Sequence, residues 1–350
     1  MRPEDIRTIS KARVNEWIAL LLHGADVVAP VVAHGEDVVF SSISSPEQLI
    51  WDFGNTLHPP KQFVLPQTDP LLEIKRSMRG YQIEPVKDDR QLIIFNIRSC
   101  DVTGVRFLTQ VHAADLPDDT YLKRVERTTL VSLACTRPCP ECFCTCTDSG
   151  PFLHRGHDVQ LTDLGERFLA EAGSDKGRFL MDQGSMLFQP AVETDLAEQR
   201  RLEQLARGSF GSQTCHFGAA MRRVSTGRVK DELWEEMSPW CLECGGCNMI
   251  CPTCYCFSVK DRKQNDGWVR CRIWDSCQYP AFTREASGHN PRADRKDRMK
   301  RRFFHKVSAQ YYVRDGTVGC VGCGRCVKVC LGTTDMPAVV GAIRKGVWHG

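Results

Sequence analysis

The run CLECGGCNMICP at residues 241–252 determines what the C-terminal part of the chain folds around. Its cysteines follow the spacing C-x2-C-x2-C-x3-C and precede a proline, which is the bacterial ferredoxin pattern. They are Cys241, Cys244, Cys247 and Cys251. In this pattern three closely spaced thiolates bind one [4Fe–4S] cluster, and the fourth ligates a second cluster. The run therefore predicts iron–sulfur chemistry.

A second run with the same spacing, CVGCGRCVKVC, lies at residues 320–330, with Leu331 where proline is usual. Its cysteines are Cys320, Cys323, Cys326 and Cys330. Crossed ligation predicts that Cys330 completes the cluster of the first run and that Cys251 completes the cluster of the second. The alternative is a pair of zinc sites, but zinc prefers paired C-x2-C units that lie far apart. Two [4Fe–4S] clusters are therefore expected.

The number of cysteines and the net charge argue against several classes of protein. The chain has 350 residues and nineteen cysteines, an odd number, and no secretory signal or transmembrane run is recognisable. A disulfide framework is therefore not expected. The cysteines instead indicate metal binding or redox chemistry in a reducing cytoplasm. A net charge of +3 is too small to suggest a nucleic-acid or membrane partner.

A third cysteine group lies mid-chain, where Cys142-Phe-Cys144 resembles Cys254-Tyr-Cys256 further on. The two C-x-C pairs suggest a third [4Fe–4S] cluster that joins two domains, with thiols also drawn from Cys135 and Cys277. The alternative is that some of these residues are buried apolar thiols. Both interpretations stay open from the sequence.

A different interpretation concerns only Cys135, Cys139 and Cys142. Their C-x3-C-x2-C spacing is that of radical S-adenosylmethionine enzymes, in which three thiolates leave one iron open. Glu141 stands where an aromatic residue is usual, and too few residues follow for most of a barrel. This interpretation is the weaker one.

Other residues have plainer expected roles. Three further cysteines are expected to be core thiols, and four histidines are expected to be ordinary surface or core residues rather than partners of a metal site. They are Cys100, Cys215, Cys271, His154, His157, His289 and His305. Residues 292–306 carry eight Lys or Arg against two Asp; they form either a solvated helix face or a source of cations for an anionic cluster.

Strand and helix patterns alternate over residues 30–200, which predicts an α/β domain over 1–230. The remaining residues, 231–350, are expected to form a mainly α-helical two-cluster ferredoxin-like domain. Residues 7–22 and 195–205 have helical spacing, and unbroken apolar runs at 91–97 and 128–134 predict buried strands. A helix capped by Asp101 or Thr103 follows the first of these runs. Further predicted elements are strands at 26–32, 37–40, 62–65 and 158–161, a turn at His34-Gly35, a helix at 164–172 and a connecting segment at 208–227.

Several of these motifs together resemble the beta subunit of cytoplasmic sulfhydrogenases and the A subunit of anaerobic sulfite reductase. The resemblance spans nearly the whole chain and is most specific in the C-terminal half, whereas Cys139 and Cys146 look like additions to the family pattern. The motifs are Arg98-Ser-Cys-Asp101, Cys142-Phe-Cys144 with Gly150-Pro151, Cys251-Pro-Thr-Cys-Tyr-Cys256, Trp274-Asp-Ser-Cys277, Gly288-His-Asn290, His305-Lys306 and Cys320-Val-Gly-Cys-Gly-Arg-Cys326, together with the upstream stretches 55–61 and 63–67.

The resemblance implies an electron-transfer subunit that is not catalytic alone. Its implied partners are a flavin- and NAD(P)-binding reductase subunit and a catalytic subunit of the hydrogenase, sulfite reductase or heterodisulfide-reductase-like kind. The sequence contains neither a Rossmann fingerprint nor a Walker A motif, so no motif supports a bound flavin. The alternative function is an enzyme in its own right, either a flavin-assisted oxidoreductase or the radical enzyme considered above.

Overall fold

The computed structural model describes residues 3–33, 35–78, 80–210, 215–311 and 316–349. The strands are β1 (Ile6–Ser10), β2 (Asp26–Val32), β3 (Val38–Ser42), β4 (Thr68–Ser77), β5 (Gly80–Pro85), β6 (Leu92–Arg98), β7 (Thr128–Leu133), β8 (Val159–Asp163), β9 (Arg167–Ala172), β10 (Gln189–Pro190), β11 (Phe257–Gln264) and β12 (Gly267–Trp274). The helices are α1 (Lys11–Gly24), α2 (Ser99–Ala113), α3 (Asp119–Glu126), α4 (Asp175–Gln183), α5 (Glu193–Gly208), α6 (Phe217–Ser225), α7 (Asp231–Met237), α8 (Gly246–Met249), α9 (Arg295–Val307), α10 (Arg325–Val329) and α11 (Met336–Lys345).

An eight-stranded mixed sheet dominates the N-terminal half, with the strand order β10-β1-β9-β8-β7-β6-β2-β3. Strands β2, β6, β7 and β8 run parallel, and the flanking strands pair antiparallel. The central strands carry unbroken apolar runs because helices cover both faces of the sheet. Helices α1 and α4 bury Trp17 and Leu180 on one face, and α2 and α3 bury Leu108 and Tyr121 on the other. The predicted α/β character is thus observed.

A second sheet joins the two halves of the chain. It has the order β11-β12-β4-β5, and all of its pairs are antiparallel. Two strands come from residues 68–85 and two from residues 257–274, so the domain boundary predicted near residue 230 divides one sheet between its two sides. The prediction of a mainly helical C-terminal part missed the hairpin of β11 and β12.

The C-terminal helices surround a separate core. Helices α6, α7, α9 and α11 contribute Phe217, Trp234, Phe303 and Val339, all of which are buried. Phe143, from the mid-chain cysteine group, is buried in the same core. Within the described ranges, no helix is both long and apolar enough to cross a lipid bilayer.

Two predicted helices were partly or wholly wrong, and both errors involve strands of the mixed sheet. The first helix begins at Lys11 and not at Arg7, because Ile6–Ser10 pairs with β9. The segment predicted as a helix over 164–172 forms β9, which follows a tight turn at Gly165 (φ +98°). Its apolar residues match a helical period only because a strand buried on both faces needs no alternation.

Smaller differences concern segments between the main elements. Gln62–Leu65 is not a strand, because a 3-10 helix covers Pro60–Phe63. Helix α2 begins at Ser99, earlier than either proposed cap, and Asp101 uses its carboxylate elsewhere. The connecting segment over 208–227 contains helix α6, while residues 211–214 within it and His34 of the predicted turn lie outside the described residues.

Candidate metal centres

The first-motif cavity is lined by thiols from both ferredoxin runs. They are Cys241, Cys244, Cys247 and Cys330. The loop between Cys244 and Cys247 turns at Gly245 (φ +71°), where an added Cβ would lie 2.7 Å from the ring of Tyr279. Only glycine combines this left-handed backbone with so close an approach. The loop can therefore close tightly around whatever fills the cavity.

The second-motif cavity has the complementary thiol set. It is lined by Cys251, Cys320, Cys323 and Cys326. Cys247 lines both this cavity and the first-motif cavity, so the two cavities adjoin. If the shared Cys247 is counted with the first-motif cavity, each cavity receives three thiols from one run and one from the other, which is the grouping that crossed ligation predicts. The assignment of these thiols as ligands remains a prediction.

The arrangement of the thiols suits a cluster better than a single ion. A zinc ion needs its donors about 2.3 Å from one point. Among the described residues, no group of three or more His, Cys, Asp or Glu converges in that way. Four thiols around a hollow instead match the donor set of a [4Fe–4S] cubane, whose iron atoms are spread over the corners of a larger body.

Helix α9 supplies buried cations to these cavities. Arg302 lines both motif cavities, and Lys306, one turn later, lines the second. Arg302 donates to the carbonyl of Thr334 (3.0 Å), and Lys306 donates to Oγ1 of Thr253 (2.6 Å). Burial alone would lower the pKa of both groups, but the surrounding thiolates outweigh it and raise both pKa values. The basic run over 292–306 therefore places cations where an anionic cluster would need them.

The sheet-edge pocket lies at the carboxyl ends of β6 and β7, where ligand sites of α/β sheets commonly form. Cys100 follows β6 and Cys135 follows β7 almost directly. Five thiols line this pocket: Cys100, Cys135, Cys139, Cys142 and Cys144. The pocket has a volume of about 540 Å³, which is within the range for a small-molecule site.

Asn55 connects the sheet-edge pocket to the second ferredoxin run. Its side-chain amide donates to Sγ of Cys142 (3.5 Å) and to the carbonyl of Cys323 (2.6 Å), and its backbone N–H donates to Sγ of Cys139 (3.2 Å). An added Cβ at Gly322 (φ +58°) would lie 2.6 Å from the backbone of Cys144. The cysteine loops of the two halves are therefore in direct backbone contact.

A buried ion pair also connects the two halves of the chain where their cysteine loops meet. The guanidinium of Arg325 donates to both carboxylate oxygens of Asp101, at 2.6 and 2.8 Å, and both side chains are at most 2% exposed. Asp101 follows Cys100, and Arg325 precedes Cys326. Each partner of the pair is therefore next in sequence to a thiol that lines a cavity.

A third small cavity, here named the C-x-C cavity, is lined by Cys254, Cys256 and Cys277. Because Phe257 pairs with Trp274 in the β11–β12 hairpin, Cys256 lies just before one strand and Cys277 just after the other. Their sulfur atoms share a hydrogen bond.

His305 of α9 also lines the C-x-C cavity. Burial, together with the positive charges of Arg301 and Lys306, lowers the pKa of His305 to about 3 and keeps its imidazole neutral. Of the four histidines noted from the sequence, His154 and His289 are exposed, and His157 is buried beside Gly173.

The two C-x-C pairs line different sites, contrary to the prediction from their similar sequences. Cys142 and Cys144 line the sheet-edge pocket, whereas Cys254 and Cys256 line the C-x-C cavity. The second-motif cavity adjoins both sites, because Cys142 contacts the backbone of Cys323 on one side and Cys254 contacts Cys251 on the other. The single third site predicted across the domains is therefore replaced by two separate ones.

The remaining cysteines are placed as follows. Cys100, which was expected to be a core thiol, lines the sheet-edge pocket; its place directly after a buried strand was the signal that could have found it. Cys146 and Cys215 are neighbours in the C-terminal core, where the backbone N–H of Cys215 donates to Sγ of Cys146 (3.3 Å). Cys271 is buried in β12.

Comparison with known proteins gives two findings. Residues 240–334 match the family model described as the 4Fe-4S dicluster domain. The chain is also 29% identical over 323 residues to sulfhydrogenase 2 subunit beta of Pyrococcus furiosus, an alignment that covers 90% of this chain and 92% of that subunit. Neither finding names a flavin. The resemblance predicted from the motifs is confirmed: over nearly its whole length, this chain resembles an oxidoreductase subunit of the iron–sulfur, electron-transfer type.

Proposed function

We propose that the chain is the electron-relay subunit of an oxidoreductase complex and holds two [4Fe–4S] clusters in the motif cavities. Cys241, Cys244, Cys247 and Cys330 bind one, and Cys251, Cys320, Cys323 and Cys326 bind the other. The observation that carries this proposal is the pair of adjoining cavities, which are lined by thiols from both runs and share only Cys247 among them. Bound clusters would supply one-electron transfer, and the shared Arg302 would stabilise their negative charge.

A third cluster is proposed for the sheet-edge pocket, held by Cys100, Cys135, Cys142 and Cys144. Cys139 is the thiol left over, because it is the one that looks like an addition to the family pattern. The contact between Cys142 and Cys323 would place this cluster beside that of the second motif. The three sites would then form one continuous row, from the first-motif cavity to the edge of the mixed sheet.

The proposed partners are the two implied by the resemblance, a flavin- and NAD(P)-binding reductase subunit and a catalytic redox subunit. A relay needs one contact for each direction of electron flow. The first-motif cavity offers one such contact, because the exposed Cys244 is flanked by Leu242 and Leu331, which are 60% and 87% exposed. The relative's name supports membership of a complex, since that protein is called a subunit.

The metal content tests the proposed clusters directly. Protein purified natively without oxygen should contain about eight iron atoms and eight labile sulfides per chain from the two motifs, and near twelve with the sheet-edge cluster. Iron and sulfide analysis gives the number. Stoichiometric zinc without iron would exclude the proposed function.

A second candidate function has one specific observation in its favour, the size of the sheet-edge pocket. The pocket is lined by aromatic rings as well as thiols, including the stacked rings of Trp51 and Phe168. Charged side chains of both signs also line it, including Arg98 and the ion pair of Lys11 with Asp163 (2.8 Å). A small redox substrate could therefore bind there beside a cluster, which would make the chain an enzyme in its own right.

Replacing Cys139 separates the relay from the radical alternative. On the relay proposal, Cys139→Ala keeps all its iron, because Cys139 is not a ligand of the sheet-edge cluster. On the radical proposal, Cys139 is one of only three ligands, so the variant loses about four irons. The matched variant Cys135→Ala should lose iron on either proposal. Iron loss in Cys139→Ala, together with a spectral change when S-adenosylmethionine is added to the wild type, would favour the radical enzyme.

A further inference from the structure

The C-x-C cavity has the features of a metal site that the two ferredoxin runs do not explain. It is similar in size to the two motif cavities, and three thiols line it. These thiols belong to none of the cluster sites proposed above. The β11–β12 hairpin holds two of them together, because pairing of Phe257 with Trp274 brings the ends of the hairpin side by side. The third, Cys254, is positioned by a backbone hydrogen bond from its N–H to the carbonyl of Cys251 (3.3 Å).

The residues around this cavity would stabilise negative charge inside it. Arg302 and Lys306 line it, as they line the second-motif cavity. Lys61 is buried nearby, with its ammonium 2.8 Å from the carbonyl of Cys254 and 4.1 Å from the ring centre of Trp274. Because Arg302 and Lys306 also face the second-motif cavity, they would stabilise negative charge in either cavity. Thiolates bound to a metal cluster would carry such charge in the C-x-C cavity.

A fourth ligand is needed, and most of the other lining groups are already engaged. Arg302 and Lys306 have no lone pair to offer as cations. The amide of Asn248 donates to Sγ of Cys277 (3.1 Å). Oγ1 of Thr253 accepts from Lys306 and donates to the carbonyl of Gly319 (2.7 Å).

His305 is the lining side chain with suitable chemistry. Imidazole is the side chain that replaces thiolate in Rieske iron–sulfur centres. His305 lies on the face of α9 that also presents Arg302 and Lys306 to the cavity, and its ring is set edge-on against Tyr311 at 4.5 Å between centroids. Tyr255 instead packs toward His112, with 6.3 Å between ring centroids.

We propose that the C-x-C cavity binds an additional [4Fe–4S] cluster, ligated by Cys254, Cys256, Cys277 and His305. The inference rests on the proposed relay function. It adds one cluster, here called the branch, that lies outside the row of three proposed above. The branch would lie beside both motif clusters, because Cys254 contacts Cys251, and Asn248 contacts both Cys247 and Cys277. A neutral imidazole in place of one thiolate makes the site less negative and raises its reduction potential. The branch would therefore hold an electron more readily than its all-thiolate neighbours.

Iron analysis of two variants tests whether the cluster exists. Cys277→Ala should lose about four irons relative to the wild type, all from this site. The matched control is Cys271→Ala, which removes a similarly buried thiol from the adjacent strand β12 that lines none of the cavities named above. This control should keep all its iron. Full iron retention in Cys277→Ala would overturn the proposal.

Nitrogen ligation is tested separately, in a variant that keeps four ligands. Pulsed electron paramagnetic resonance of reduced wild-type protein labelled with ¹⁵N-histidine should show nitrogen coupling to a cluster. His305→Cys should keep its iron, lose that coupling and shift one midpoint potential to a more negative value. Wild-type protein without nitrogen coupling would overturn the histidine ligand. Wild-type protein without any iron would instead count against the relay function itself, so the two failures are distinguishable.

Discussion

Replacing Cys251 by alanine is expected to remove the cluster of the other ferredoxin run. Cys251 belongs to the first run in sequence, but it lines the second-motif cavity with Cys320, Cys323 and Cys326. The variant should therefore lose about four irons and the spectrum of the second-motif cluster. Cys330→Ala should do the reverse, since Cys330 lines the first-motif cavity. Iron analysis and electron paramagnetic resonance of the reduced variants give the result.

Two further variants test whether a loss of iron comes from removal of a ligand or from a general disturbance of the protein. Cys251→Ser keeps a weaker oxygen ligand, so it should retain more iron than Cys251→Ala and alter the same spectrum. Cys215→Ala removes a buried thiol of the neighbouring core and should change neither cluster. If Cys251→Ala altered only the first-motif spectrum, ligation would not be crossed.

Loss of Arg325 is expected to be the most damaging substitution that removes no proposed ligand. Arg325→Met leaves the carboxylate of Asp101 buried and unpaired, and removal of one partner from a buried ion pair typically costs about 3–5 kcal/mol. The side chain also loses the hydrogen bond from its Nε to the carbonyl of Thr56 (2.7 Å). Anaerobic denaturation, followed by cluster absorbance and by tryptophan fluorescence, should show a large fall in the midpoint.

A double variant distinguishes the cost of an unpaired buried charge from the cost of lost packing. Arg325→Met combined with Asp101→Leu removes both charges, so it should recover much of the stability that Arg325→Met loses. The control is Arg137→Met, which breaks an ion pair with Asp52. The side chains of Arg137 and Asp52 are both 82% exposed. That control should leave the midpoint unchanged. An Arg325→Met variant as stable as the wild type would show that the pair does not hold the two halves together.

The sequence predicted best those features that are encoded within a few neighbouring residues. The spacing of the two ferredoxin runs is local, and the structure groups their thiols as crossed ligation requires. Strands β6 and β7 were predicted because their apolar runs are unbroken. Strand β11, FSVKDRKQ, gave no such signal, because every residue in it is exposed and most are polar. Its pairing depends on β12, and the pairing of β12 depends on β4, far away in the chain.

The additional sites could be predicted only in part, for a similar reason. The likeness between Cys142-Phe-Cys144 and Cys254-Tyr-Cys256 suggested a shared cluster, yet similarity of short motifs carries no information about distance in space. His305 reaches the C-x-C cavity through the docking of α9, a tertiary contact that its own sequence neighbours do not reveal. Sequence spacing thus groups the thiols of a recognisable run, whereas the approach of His305 on α9 depends on tertiary packing.

The sheet shared between the two halves also governs how the chain can be made. Strand β4 leaves the ribosome long before β12, so until residues 267–274 emerge, the growing chain carries β4 with one unpaired edge. An open edge of this kind is a template for pairing with other chains. A fragment that ended near residue 230 would keep that edge permanently. The two halves are therefore expected to be made and kept as one chain, because either half alone would expose an unpaired strand edge that favours aggregation.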